Sequence, residues 1–182
     1  MHYASHYPNI RRMKRASFAK MECPIARAVD QIGEGWALLV LREAFKGAAT
    51  FSEFEERLPV TPTTLTRRLE TLTSQGFFER VTYQDGPSRD RYELTPKALE
   101  LLPVLLALGA WGNRWLAPDG ELLTIVDPAS DKRIDVAVVD RRTGKPLRPG
   151  HVALRAGAGA KKWMRQRLAT PLILGGNVPG RG

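Results

Sequence analysis

Thr61-Pro62-Thr63-Thr64-Leu65-Thr66-Arg67-Arg68-Leu69-Glu70-Thr71-Leu72-Thr73-Ser74-Gln75-Gly76-Phe77 decides the fold of this chain. Leu65, Leu69 and Leu72 recur at helical spacing and make a narrow apolar stripe. Thr61 can cap the helix, Pro62 suits the first position because its missing N–H costs little there, and Gly76 ends it. The outer face carries Thr63, Thr64, Arg67, Arg68 and Thr71, with Thr66 beside them. Arginine grips guanine O6 and N7 bidentately, while threonine bonds a base edge or phosphate and touches a thymine methyl. Residues nearest the N-terminus of such a helix normally read bases, which puts Thr61, Thr63, Thr64 and Arg67 first. Alone, the stretch is equally an ordinary solvated amphipathic helix.

Its neighbours raise the DNA reading. Upstream, residues 51–58 read as a short helix, with Phe51, Phe54 and Leu58 on one face. Ser52 is placed at its cap, with Glu55 reaching back to complete a capping box, and is counted among the DNA-contacting residues. Pro59 and Val60 turn the chain into the second helix, 61–75. Downstream, residues 77–94 read as a β-hairpin, aromatic and β-branched along its arms and turning at Asp85-Gly86-Pro87. Arg89 falls at the tip, where it would meet phosphate. Arg91 either does the same or pairs with Asp90 or Glu93. A helix-turn-helix followed at once by a two-stranded wing is a device for reading duplex DNA. The expected fold is α+β, mainly α: a winged helix-turn-helix with flanking dimerisation helices and a small C-terminal β extension.

Several separated motifs resemble one family in order. These are Cys23-Pro24-Ile25, the run from Ile32-Gly33-Glu34-Gly35-Trp36 to Arg42, Phe51-Ser52-Glu53-Phe54, Leu65 to Leu72, Gly76-Phe77 and Tyr92-Glu93-Leu94-Thr95. Together they resemble the HxlR-type winged-helix regulators, relatives of the MarR-like repressors, over about residues 23–116. The resemblance implies a homodimer on a pseudo-palindromic DNA operator. In some members it also implies a response to oxidants or to a small-molecule effector.

The chain has 182 residues, one cysteine and a net charge of +9. That length holds one good core, or one core and a small appendage. No long uncharged apolar run indicates a membrane span, and no leader-like segment opens the chain. With a single cysteine, a reducing cytoplasmic setting, associated with the nucleoid, is expected. The excess charge lies in the ends. Residues 1–20 hold five cations and no acid, and residues 156–182 hold five more and no acid. Four regions are expected: a flexible basic arm over 1–20, the DNA-binding and dimerisation domain over 21–117, a β-rich extension over 118–156, and a disordered basic tail over 157–182. The ends either add phosphate contacts or merely aid solubility.

Helices are expected over 24–32 and 36–46. Thr95-Pro96 opens a long helix running to Leu116, kinked or broken at Pro103 and apolar almost all round, as a helix packed on its own domain and on a twin would be. Cys23 precedes Pro24 at a helix N-terminus, where a thiol can be oxidation-prone, so it is a candidate redox sensor; a half-buried structural role is the plainer alternative. Residues 121–126, 133–139 and 151–155 read as strands, joined by turns at 127–131 and 140–147. The extension resembles the zinc-ribbon module of one HxlR-type subgroup. Here Asp140 and Thr143 stand where a cysteine pair would be, so no metal and no cofactor are expected. No nucleophile elbow, zincin, Walker or dinucleotide motif indicates an enzyme. The rival reading is a winged helix turned to protein or RNA interaction.

Overall fold

Threonine and proline set most of the helix boundaries. The structure, a computed structural model, describes residues 17–83 and 89–175. Helix α1 (Pro24–Ile32) is followed by α2 (Ala37–Phe45), α3 (Phe51–Arg57) and α4 (Pro62–Ser74). The wing is β1 (Phe78–Tyr83) paired antiparallel with β2 (Arg89–Leu94), and the chain continues into α5 (Pro96–Leu99) and α6 (Leu102–Leu116). The turn of the wing, residues 84–88, and the arm residues 1–16 lie outside the described residues.

The cap of α3 differs from the expected one. Thr50, not Ser52, is the N-cap: its hydroxyl accepts the Glu53 N–H at 3.4 Å, and the Glu53 carboxylate accepts the N–H groups of Thr50 (2.8 Å) and Ala49 (2.7 Å). Those backbone bonds hold the Glu53 carboxyl below the usual carboxylate range. Thr50 wins because it is also bridged to Arg91 of β2, which fixes it in the extended conformation a cap requires. Ser52 is an exposed residue of the first turn.

Gly76 ends α4 at φ 75°, with Gly76 N–H on Thr73 O and Phe77 N–H on Leu72 O, both at 2.9 Å. This closes the helix and starts the wing in one step, and it delivers Phe77 and Phe78 into the core. There they meet Leu41, Leu65, Leu69, Leu72 and Phe54. Phe54, Phe78 and Tyr92 pack edge-on in a triangle with centroids 6.0–6.3 Å apart, which pins the wing to α3. The wing is further held by Tyr92 N–H on Ala49 O (2.7 Å) and by the Thr95 hydroxyl on Gly76 O (2.7 Å).

The long helix breaks, as expected, near Pro103. The break falls at Glu100–Leu101, because the Pro103 nitrogen has no hydrogen to give the Leu99 carbonyl. Neither α1 nor α6 buries any residue. Ile25 and Val29 on α1, and Leu108, Trp111, Trp115 and Leu116 on α6, are exposed.

Of the expected strands over 121–126, 133–139 and 151–155, only the third forms, shortened to two residues. The first two are reduced to single bridges, Val126 with Arg133 and Val139 with Pro146. A third pairing joins β3 (Ala153–Leu154) to β4 (Leu172–Ile173). Their apolar side chains find no sheet to cover them: Leu122, Leu123, Ile134 and Val138 stay exposed. Nor is the tail structureless. It contains α7 (Lys162–Arg167) and β4, with Lys161 paired to Glu22 at 2.8 Å.

Candidate nucleic-acid interface

Helix α4 stands on a wholly buried row, Leu65, Leu69 and Leu72, so its other side must face outward. Thr61 caps it, accepting the Thr64 N–H at 3.4 Å and donating its hydroxyl to Thr64 Oγ1 at 3.0 Å. Thr61, Thr63, Thr66 and Arg67 are exposed and Thr64 is half-buried. Glu70 continues the same face. Thr71, named with that face in the sequence, gives its hydroxyl to the Arg67 carbonyl at 2.7 Å, within the helix itself.

Arg68 is not a surface residue. It is 4% exposed, and its guanidinium is ion-paired with Glu34 on the segment between α1 and α2. Helical geometry explains this. Arg68 falls three residues after Leu65 and four before Leu72, inside the apolar row. It therefore has no free face for a base.

In the wing, Arg91 lies opposite Val81, and Arg89 opens β2 opposite Tyr83. Arg91 is exposed. Asp90 is engaged by Arg80 and accepts the Thr82 hydroxyl at 2.7 Å. The Arg80 guanidinium and that hydroxyl hold the Asp90 carboxyl below its ordinary value. Arg80 is thus a wing cation that the sequence did not single out. The only signal for it was cross-strand position, which a correct register would have supplied.

Cys23 sits at the N-cap position of α1 in extended conformation, and its side chain makes no cap hydrogen bond. It is half-buried, with Glu22, Arg27 and Met164 lining the same shallow cleft. Among the described residues no group of three or more His, Cys, Asp or Glu side chains is arranged to hold a metal. None of the described helices is long and apolar enough to cross a membrane.

Known proteins share this arrangement. The profile for HxlR-like helix-turn-helix proteins matches residues 31–120. An uncharacterised HTH-type transcriptional regulator of Mycobacterium tuberculosis is 31% identical over 138 residues, covering 75% of this chain and 87% of the relative. The chain belongs to the HxlR-like helix-turn-helix family. A further HTH-type regulator, from Synechocystis, is 41% identical over 95 residues, 52% of this chain and 70% of its own. Two solved structures, each named a putative transcription factor, are similar in fold. PA1607 aligns with TM-score 0.68 and 32% identity over 77% of this chain and 97% of its own. PA1374 of Pseudomonas aeruginosa aligns with TM-score 0.58 and 36% identity over 80% and 100%. HxlR-like proteins are DNA-binding transcriptional regulators rather than enzymes, and the winged helix-turn-helix described above is the α+β, mainly helical fold they share.

Proposed function

We propose that this HxlR-like protein acts as a homodimer on a pseudo-palindromic operator, with α4 in the major groove and the wing on the adjacent backbone. The observation that carries this is the division of α4. One side is fully buried, and the other presents Thr61, Thr63, Thr66 and Arg67 outward, with the wing following directly. Thr64 shapes the cap beneath them. Arg89 and Arg91 are assigned to phosphate, and Ser52, exposed on the first turn of α3, to the same backbone. The bare apolar faces of α1 and α6 supply the two-fold interface, which would set paired recognition helices about 34–36 Å apart.

Regulation by an effector or by Cys23 belongs to the same reading. A small-molecule effector is assigned to the apolar cavity of about 390 Å³ between α2 and α6, lined by Leu39, Leu105, Leu106 and Ile125 with Arg42 at its wall. The test is an anisotropy titration of purified protein on its own upstream intergenic duplex against a scrambled duplex at about 150 mM salt, with and without oxidant. Saturable, selective binding by a dimer supports the reading; equal binding to both duplexes overturns it. Loss of binding on oxidation, absent in Cys23→Ser, would assign the switch to that thiol.

A further inference from the structure

The positive charge of this chain is not on its helix-turn-helix. Residues 21–138 hold eighteen acids and thirteen cations, whereas residues 139–175 hold nine cations and the single acid Asp140. Six of the nine lie on a tight turn over 139–146 (Arg141, Arg142, Lys145) and on α7 (Lys162, Arg165, Arg167), and Arg148, Arg155 and Lys161 lie on the connecting segments.

The turn has a near twin. Val126-Asp127-Pro128-Ala129-Ser130-Asp131-Lys132 and Val139-Asp140-Arg141-Arg142-Thr143-Gly144-Lys145 are closed by the same bonds. Asp127 N–H donates to Lys132 O at 2.8 Å, and Asp140 N–H to Lys145 O at 2.9 Å. The Asp127 carboxylate accepts the Ser130 N–H and hydroxyl, and Asp140 accepts the Arg142 N–H and the Thr143 hydroxyl. The left-handed residue is Asp131 at φ 52° in one and Gly144 at φ 68° in the other. Since the first turn closes with Pro128-Ala129 at its tip, the second has no conformational need for Arg141-Arg142.

Lys161 pairs with Glu22, Arg142 with Asp140, and Arg165 donates to the Ala158 and Ala160 carbonyls, but the other six cations have no such role. Arg141, Lys145, Arg148, Arg155, Lys162 and Arg167 are exposed and form no ion pair or side-chain hydrogen bond among the described residues. Like charges concentrated in one stretch of chain repel, and a polyanion relieves that repulsion.

We propose that the surface spanning 139–167 is a second, sequence-independent phosphate-binding surface, which engages duplex DNA outside the bases read by α4. This rests on the operator-reading function above. Two variants of the full chain test it: Arg141→Pro with Arg142→Ala, which copies the tip of the twin turn, and Arg148→Gln with Lys162→Gln and Arg167→Gln. Each is titrated across salt on operator and scrambled duplexes of about 20 and 40 base pairs, with sedimentation in parallel. The expected result is a shallower salt dependence, by up to about 0.9 in log–log slope per lost contact, on both long duplexes, with the operator-to-scrambled ratio unchanged. An unaltered slope in both variants overturns the proposal. So does a change confined to salt-sensitive self-association, which would give the cations to a second copy. If the parent protein shows no preference for operator over scrambled DNA, the operator reading fails, while the slopes still report on this surface.

Discussion

Glu34 and Arg68 tie α4 to the segment that joins α1 to α2. The cation is almost wholly buried and its partner is 43% exposed, so the pair is half in water. Removing the carboxylate strands a buried guanidinium, whereas removing the arginine leaves a carboxylate that is already part-solvated. Glu34→Gln is therefore expected to cost on the order of 1–3 kcal/mol, below the figure for a fully buried pair because solvent screens the exposed end, and Arg68→Met less. Urea denaturation checks both. Arg68→Met should also leave the salt dependence of DNA binding unchanged, which separates it from a phosphate contact.

Arg67 is the adjacent residue and behaves in the opposite way. It is exposed on the outer face of α4 and contributes no packing row. Arg67→Ala is expected to cost about 1–3 kcal/mol of operator affinity and relax base choice at one position, with melting temperature nearly unchanged. Competition against operators mutated base by base measures this.

The Thr50–Glu53 cap gives α3 a pH-dependent element. The Glu53 carboxyl is held low by the Ala49 and Thr50 amides, so its contribution is present above the ordinary carboxylate range and is lost as pH falls through the lowered folded value. Glu53→Gln should flatten part of the acid limb of a stability–pH curve. Thr50→Ala should cost about 1 kcal/mol at neutral pH.

On α6, Trp111 and Trp115 are 54% and 60% exposed on a helix that buries nothing within the chain. If a twin covers them, Trp115→Glu should shift sedimentation from dimer to monomer and weaken operator binding by tenfold or more, as loss of roughly 2 kcal/mol or more at an interface anchor would. Unchanged sedimentation would refute the assigned interface.

Much of this was legible from residue patterns, and the exceptions have physical causes. The order of helices, the break near Pro103 and the Gly76 turn into the wing all follow from local rules, and local rules suffice there. Arg68 was misplaced because residue type outweighed position, although the Leu65, Leu69 and Leu72 spacing already put it on the buried row. Choosing between Thr50 and Ser52 needed a strand more than forty residues ahead, since Arg91 decides it. The β-branched and apolar runs over 121–126 and 133–139 promised strands, but such runs form a sheet only where their apolar side is covered, and Leu122, Leu123, Ile134 and Val138 stay exposed.

The joint at Glu100–Leu101 has a consequence for spacing on DNA. The Thr95 hydroxyl fastens the base of the wing to the end of α4, so helix-turn-helix and wing are held together as one head up to α5, and the short joint links them to α6. Inserting one residue there would turn the head by about 100° against the pairing helix. In the proposed dimer each head would still fold and still recognise its own half-site, yet the two would fall out of phase with the helical repeat of a single duplex.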